Sequence, residues 1–339
     1  MSRGAAADAD SSAFGSDGSN GLAKEKDART GGAAMAYPAR WILIREGVMS
    51  DRHSGPRLHL GLPMWANADW RGGLYPRQAA SEDFLTDYAR VFSSVEGNTT
   101  FYSGTPRAET VAAWARRSPP TFRFYFKLPA ALTHERRLTG IDADLETFLD
   151  GLAPLGPRLG PVMIQLPRDF GAAELPALER LLARWPAGVP CSVEVRAREF
   201  FHKGSAEQRL NRLLITHNVD RVMLDVRPLF ATPTGDDPRL RTAQSEKPRL
   251  PLHVLSTGER PIVRFIGHLD TALNRRYFAP WVERLSLWIK QGKTPFLFVH
   301  TPDNRQAPAL ARTLYTALGE ALDLPLLAAF PGERQATLF

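Results

Sequence analysis

The chain has 339 residues, a formal net charge of +7 and one cysteine. That length suits one α/β barrel with an extension. A lone Cys191 excludes a disulfide framework and a cysteine-based metal site, and no run approaches the ~20 apolar residues of a membrane helix. The expected setting is cytoplasmic, without a membrane partner. The positive charge is compatible with an anionic small molecule or a nucleic acid as partner. Acidic residues are interspersed nearly everywhere, so the charge forms no long Lys/Arg block.

Residues 1–56 read as a disordered extension. Met1–Ala34 is rich in Ala, Gly, Ser and Asp and nearly empty of large apolar side chains. Such a segment cannot bury enough surface to offset its ordering entropy. Met35 and Met49 are alternative starts, and Trp41–Ile44 is too short for a signal peptide.

From Leu58 a regular cadence begins, and residues 57–325 read as one domain. Strands are predicted at 58–65, 94–98, 122–128, 161–166, 191–196, 220–226, 261–267 and 295–301. Amphipathic helical stretches lie at 82–91, 108–117, 145–155, 175–185, 206–217, 276–290 and 308–319. Ser81 before Glu82 and Asp83 reads as a helix start. The 228–260 connection is rich in Pro, Thr and Arg and reads mostly as a long loop, either a lid or a disordered insertion. Residues 326–339 read as a flexible tail.

Eight strands alternating with about seven helices predict an α/β fold, a TIM-like (β/α)8 barrel. No glycine-rich phosphate loop follows any strand, which disfavours an open dinucleotide-binding sheet. Alternate strand residues face opposite sides. In Phe122–Lys127 the three Phe therefore share one face, and Arg123, Tyr125 and Lys127 the other.

Several segments resemble the YecE-like branch of the domain-of-unknown-function-72 family. They are Gly61–Trp65, Val95–Tyr102, Phe122–Pro129, Gln165–Pro167, Val193–Arg196, Leu224–Pro228, Arg264–Gly267 and Phe298–Asp303, in that order. The resemblance covers about 58–325 and implies a TIM-barrel-like fold. It implies no reaction, because none is established for the family.

In a barrel the C-terminal strand ends carry the site. The polar alternation predicts a ring there of Glu96, Asn98, Lys127, Gln165, Glu194, Arg196, Asp225, Arg264 and His300. Glu96, Glu194 and Asp225 are candidate acid–base catalysts, because burial and like charge push neighbouring carboxyl pKa values apart. Lys127, Arg196 and Arg264 suit a phosphate or carboxylate. Gln165, Asn98 and His300 complete the polar lining, and Trp65 and Tyr102 can line a pocket or stack on a base. His134, in the loop after strand three, is placed to touch an anionic ligand. Carboxylates with His268 and His300 are compatible with a divalent metal, but no tight ligand spacing occurs and the cofactor stays unspecified. Glu194 with Arg196 can equally be half of a buried ion-pair network.

Three readings follow. The first is an enzyme of hydrolase or lyase type acting on a phosphate-bearing or other anionic substrate. The second is a DNA-binding or DNA-processing factor tethered to the bacterial sliding clamp. Its motif would be Gln335, Leu338 and Phe339, a short extended peptide whose Leu and Phe fill apolar pockets. The third is a non-catalytic binding barrel.

Overall fold

Phe122, Phe124 and Phe126 turn toward the surrounding helices, while Tyr125, from the same strand, joins Met163, Val222, Ile262, Phe296 and Phe298 in a separate apolar cluster inside the sheet. That partition is a barrel wall seen from its two faces. The computed structural model describes residues 57–336, with side chains to Glu333. The expectations for residues 1–56 lie outside the described residues.

The strands are β1 (His59–Leu62), β2 (Ser94–Gly97), β3 (Arg123–Phe126), β4 (Val162–Gln165), β5 (Cys191–Glu194), β6 (Asp220–Asp225), β7 (Ile262–Ile266) and β8 (Phe296–His300). They form one parallel sheet in the order β3-β2-β1-β8-β7-β6-β5-β4. Two bridges, Phe124 with Leu159 and Lys127 with Met163, join its ends. The Gly160 amide donates to the Phe124 carbonyl at 2.9 Å. A Cβ on Gly160 would lie 2.9 Å from that oxygen, so only glycine lets the closing segment approach.

The helices are α1 (Phe84–Ala89), α2 (Thr99–Ser103), α3 (Ala108–Arg116), α4 (Asp142–Leu152), α5 (Leu175–Ala183), α6 (Ser205–Thr216), α7 (Pro238–Glu246), α8 (Thr271–Lys290), α9 (Ala307–Leu322) and α10 (Pro331–Ala336). All eight predicted strands and all seven predicted helical stretches have counterparts here. The start of α1 differs from expectation: Ser81–Asp83 form a 3-10 turn, and neither Ser81 nor Asp83 caps the helix through its side chain. Among the described residues no helix is long and apolar enough to cross a membrane.

Helix α7 lies inside the connection read mostly as a loop. Asp237 caps it, accepting from the amides of Arg239 and Leu240. Its apolar side, Leu240 and Ala243, packs with Leu229, Val226 and Ile266 at the ends of β6 and β7. Gln244 donates to the carbonyls of Leu229 and Thr232, and Arg168 donates to the Glu246 carbonyl. Too few apolar residues lie in this short segment to show a helical period, so tertiary contacts decide its form.

The segment read as a flexible tail is anchored up to Glu333. Phe330 is buried beneath the Arg312 guanidinium, and Arg312 makes a two-pronged ion pair with Glu333. Gln335 falls within α10, whereas Leu338 and Phe339 lie outside the described residues.

Candidate functional site

The floor of the C-terminal mouth is the interior layer, where the Tyr125 hydroxyl and Ser192 Oγ meet at 2.8 Å and Tyr125 stacks on Phe298. Directly above, the next inward position of each strand is polar on six of them. Parity brings Glu96, Lys127, Gln165, Glu194, Arg264 and His300 together, and Arg196 joins from just beyond β5.

Arg264 is the hub. Its Nε and Nη2 each donate to Glu96 at 2.8 Å, and its Nη1 donates to Glu194 Oε2 at 2.6 Å. Glu194 Oε1 accepts from Arg196 Nε at 2.8 Å, and Arg196 Nη2 donates to Gln165 Oε1 at 2.9 Å. Lys127 Nζ donates to the same Gln165 oxygen at 3.2 Å and lies 3.4 Å from Glu96 Oε1. His300 Nε2 lies 3.3 Å from Glu96 Oε2. All four carboxylate oxygens therefore have partners, as a buried anion requires.

Burial alone would raise the Glu96 carboxyl. Arg264, then Lys127 and His300, instead hold it well below the usual carboxylate range. Burial also opposes ionisation of Glu194, yet Arg264 and Arg196 bring its pKa down to about 2. For Lys127, burial and then Arg264 lower the ammonium to about 8, with the two glutamates pulling the other way. His300 falls to about 4, chiefly through burial, so it is neutral at pH 7.

One cation of the mouth has no strand parity to announce it. Lys247, just after α7, has its pKa lowered by burial and then by Arg264, with Glu96 and Glu194 opposing. It also lowers that of His300. Its ammonium makes no hydrogen bond or ion pair among the described residues. The only sequence signal for it was its membership of the long connection over the mouth.

The remaining predicted residues lie elsewhere. Asp225 faces the helices: Trp281 Nε1 of α8 donates to its Oδ2 at 2.8 Å, and Arg227 grips both oxygens at 2.9 and 2.7 Å. Leu224 holds the inward position instead, beside its interior neighbour Val222. Asp225 is therefore a structural anchor rather than a member of the ring. Trp65 is also on the helix side, edge-on to Trp114 and Phe124. Tyr102 is 82 % exposed, touching Phe101 edge-on.

Asn98 stands at the rim, where its Nδ2 donates to the Pro63 carbonyl at 2.9 Å. Its Oδ1 is buried without a hydrogen-bond partner among the described residues. His134 also reaches the rim, carried by a π-helical turn, Ala131–Glu135. Its ring meets Phe101 edge-on and its Nδ1 pairs with Thr133 Oγ1 at 2.8 Å. Burial, then Arg196, lowers its pKa. His268 is pinned on both nitrogens: Nδ1 accepts from the Asp270 amide and Nε2 bonds Thr232 Oγ1. Among the described residues no three His, Cys, Asp or Glu side chains are grouped to hold a metal ion.

A family model described as "Protein of unknown function DUF72" matches residues 59–335. The chain belongs to the DUF72 family. It is 41% identical over 284 residues to the UPF0759 protein YecE of Escherichia coli, covering 83% of this chain and 100% of that protein. It is 30% identical over 161 residues to the UPF0759 protein YunF of Bacillus subtilis, covering 45% of this chain and 56% of that one.

Two solved DUF72 structures share the fold. One, from Enterococcus faecalis, has a TM-score of 0.58 at 18% identity and covers 80% of this chain and 98% of its own. The other, from Thermotoga maritima, has a TM-score of 0.57 at 22% identity and covers 77% and 98%. The TIM-barrel-like fold is thus a property of the DUF72 family, and the family description states no reaction.

Proposed function

We propose that the C-terminal mouth binds a small phosphate-bearing or other anionic substrate, and that the protein is an enzyme acting on it. The supporting observation is a charge imbalance. Lys127, Arg196, Lys247 and Arg264 converge on only two carboxylates, and Lys247 has no paired anion among the described residues. Surplus positive charge in a partly desolvated site favours an incoming anion.

The chemistry shifts away from the carboxylates. Glu96 and Glu194 are held ionised far below neutrality, so they act as counter-ions that fix the guanidinium forks. A useful proton carrier has its pKa near the working pH. Lys127, at about 8, meets that condition within the ring.

The test is binding of inorganic phosphate at low salt, read by calorimetry and by the thermal midpoint. Wild-type protein is expected to bind, and Lys247→Ala to bind roughly tenfold more weakly, a loss of about 1.4 kcal/mol. Equal phosphate binding by the two proteins would sink the reading. The saturation of Glu96 and Glu194 by cations also suits a non-catalytic binding barrel. That reading predicts the same phosphate binding, but no turnover in any panel of phosphate esters and oxo acids.

A further inference from the structure

We infer that Lys127 is a nucleophilic amine that forms an imine with a small carbonyl substrate, whose carboxylate or phosphate is held by Lys247 and Arg196. The inference rests on the anion-binding reading of the mouth and names its substrate class. Lys127 stands at the C-terminal end of β3, in the mouth and nearly buried. Its nitrogen has two acceptors among the described residues, Gln165 Oε1 at 3.2 Å and Glu96 Oε1 at 3.4 Å. An ammonium has three donors, so one is unmatched there. Arg264 and Arg196 bond the same two side chains from the other sides. The Phe101 ring, 5.8 Å from Nζ, forms an apolar flank.

An amine pressed between cations in a dry site is the setting that frees a lysine for attack on carbonyls. With a pKa of about 8, roughly a tenth of Lys127 is uncharged at pH 7, against about one in three thousand for an ordinary lysine. The step balances without a further reagent. The Nζ lone pair forms a bond to the carbonyl carbon, and the carbonyl π electrons move to oxygen. That oxygen departs as water with the two hydrogens of the neutral amine. Protonation of the resulting imine restores one positive charge beside Glu96, where the ammonium had been, so the ion-pair balance of the mouth is preserved.

The test treats full-length protein with sodium borohydride and either pyruvate or glyceraldehyde 3-phosphate, then maps secondary-amine adducts by peptide mass spectrometry. With either probe, Lys127 is expected to be labelled at least ~tenfold over exposed lysines such as Lys290. Lys247→Met should raise the probe concentration for half-labelling ~tenfold. Labelling of wild-type protein spread evenly over surface lysines, with Lys127 no faster than Lys290, overturns the inference. So does an adduct whose total yield is unchanged in folded Lys127→Met. If that variant does not fold, the wild-type rate profile decides: a half-maximum near pH 8 supports the inference, and one near the ordinary lysine value overturns it. Phosphate binding without a Lys127 adduct removes the imine and leaves the anion site. A Lys127 adduct without phosphate binding, unweakened in Lys247→Met, removes the anion site together with the proposed capture of the substrate.

Discussion

Two carboxylate–arginine pairs near the C-terminal strand ends invite comparison. Glu96 with Arg264 lies inside the barrel, and Asp225 with Arg227 lies against the helices. Both are two-pronged, with donor–acceptor distances of 2.7–2.9 Å. They differ in what surrounds them. Asp225 is completed by the Trp281 indole, and Arg227 is 40 % exposed and flanked by Tyr277. Glu96 and Arg264 are buried and connect onward to Glu194, Lys127 and His300, with Lys247 beyond. A closed pair anchors a helix to a strand. An open network with surplus cations can respond to a ligand. Pair geometry alone does not separate the two roles.

Arg264→Met is the sharpest way to break this comparison. It leaves Glu96 and Glu194 buried without their shared partner and should cost about 3–5 kcal/mol in urea denaturation. Arg227→Met should cost less, about 1–2 kcal/mol, because the Trp281 indole and the backbone amide of residue 227 still donate to Asp225. Equal costs for the two would erase the distinction.

The next effect is a pH dependence. The folded pKa of His300 is about 4, below its ordinary value of 6.5. As pH falls from 6.5 to 4 the unfolded chain takes up this proton and the folded protein does not, so stability is lost across that window. His59, at the opposite end of β1, is also lowered to about 4 by burial and adds in the same window. Each shift corresponds to roughly 3 kcal/mol as an upper bound. Denaturation at pH 7 and pH 4.5 should show the loss, and His300→Gln should reduce it. Lys127 works at the alkaline end. Its folded pKa of about 8 lies below 10.5, so stability rises as pH increases from 8 toward 10.5.

Smaller effects sharpen the same contrast. Trp281→Phe removes one donor from Asp225 and should cost about 1–2 kcal/mol by thermal denaturation, without changing phosphate affinity. Tyr102→Ala should leave stability within about 0.5 kcal/mol, given its exposure. If Tyr102→Ala weakened phosphate binding, the boundary of the mouth would have to extend to α2.

Much of the ring was legible because a barrel strand has period two. Lys127 is inward because Tyr125 is inward, and the three flanking Phe take the helix side. The same reasoning misplaced Asp225. In Val222–Arg227 apolar side chains occupy both faces, and the two polar residues drew the assignment inward. The indole that makes an outward Asp225 acceptable comes from Trp281, 56 residues later. Lys247 escaped for a related reason. Its helix α7 is held by Arg168 and by the ends of β6 and β7, and no periodic pattern within the connection reports those contacts.

The sequence by itself determined the number of strands, their order along the chain and the facing of most of them. Those are local matters, set by alternating side chains and by the need to cover apolar surface. Only the tertiary structure decided which charge meets which. Arg264 joins Glu96 across 168 residues and Glu194 across 70. Such pairings depend on barrel closure and register, because a charge can be buried only where another part of the fold delivers its partner.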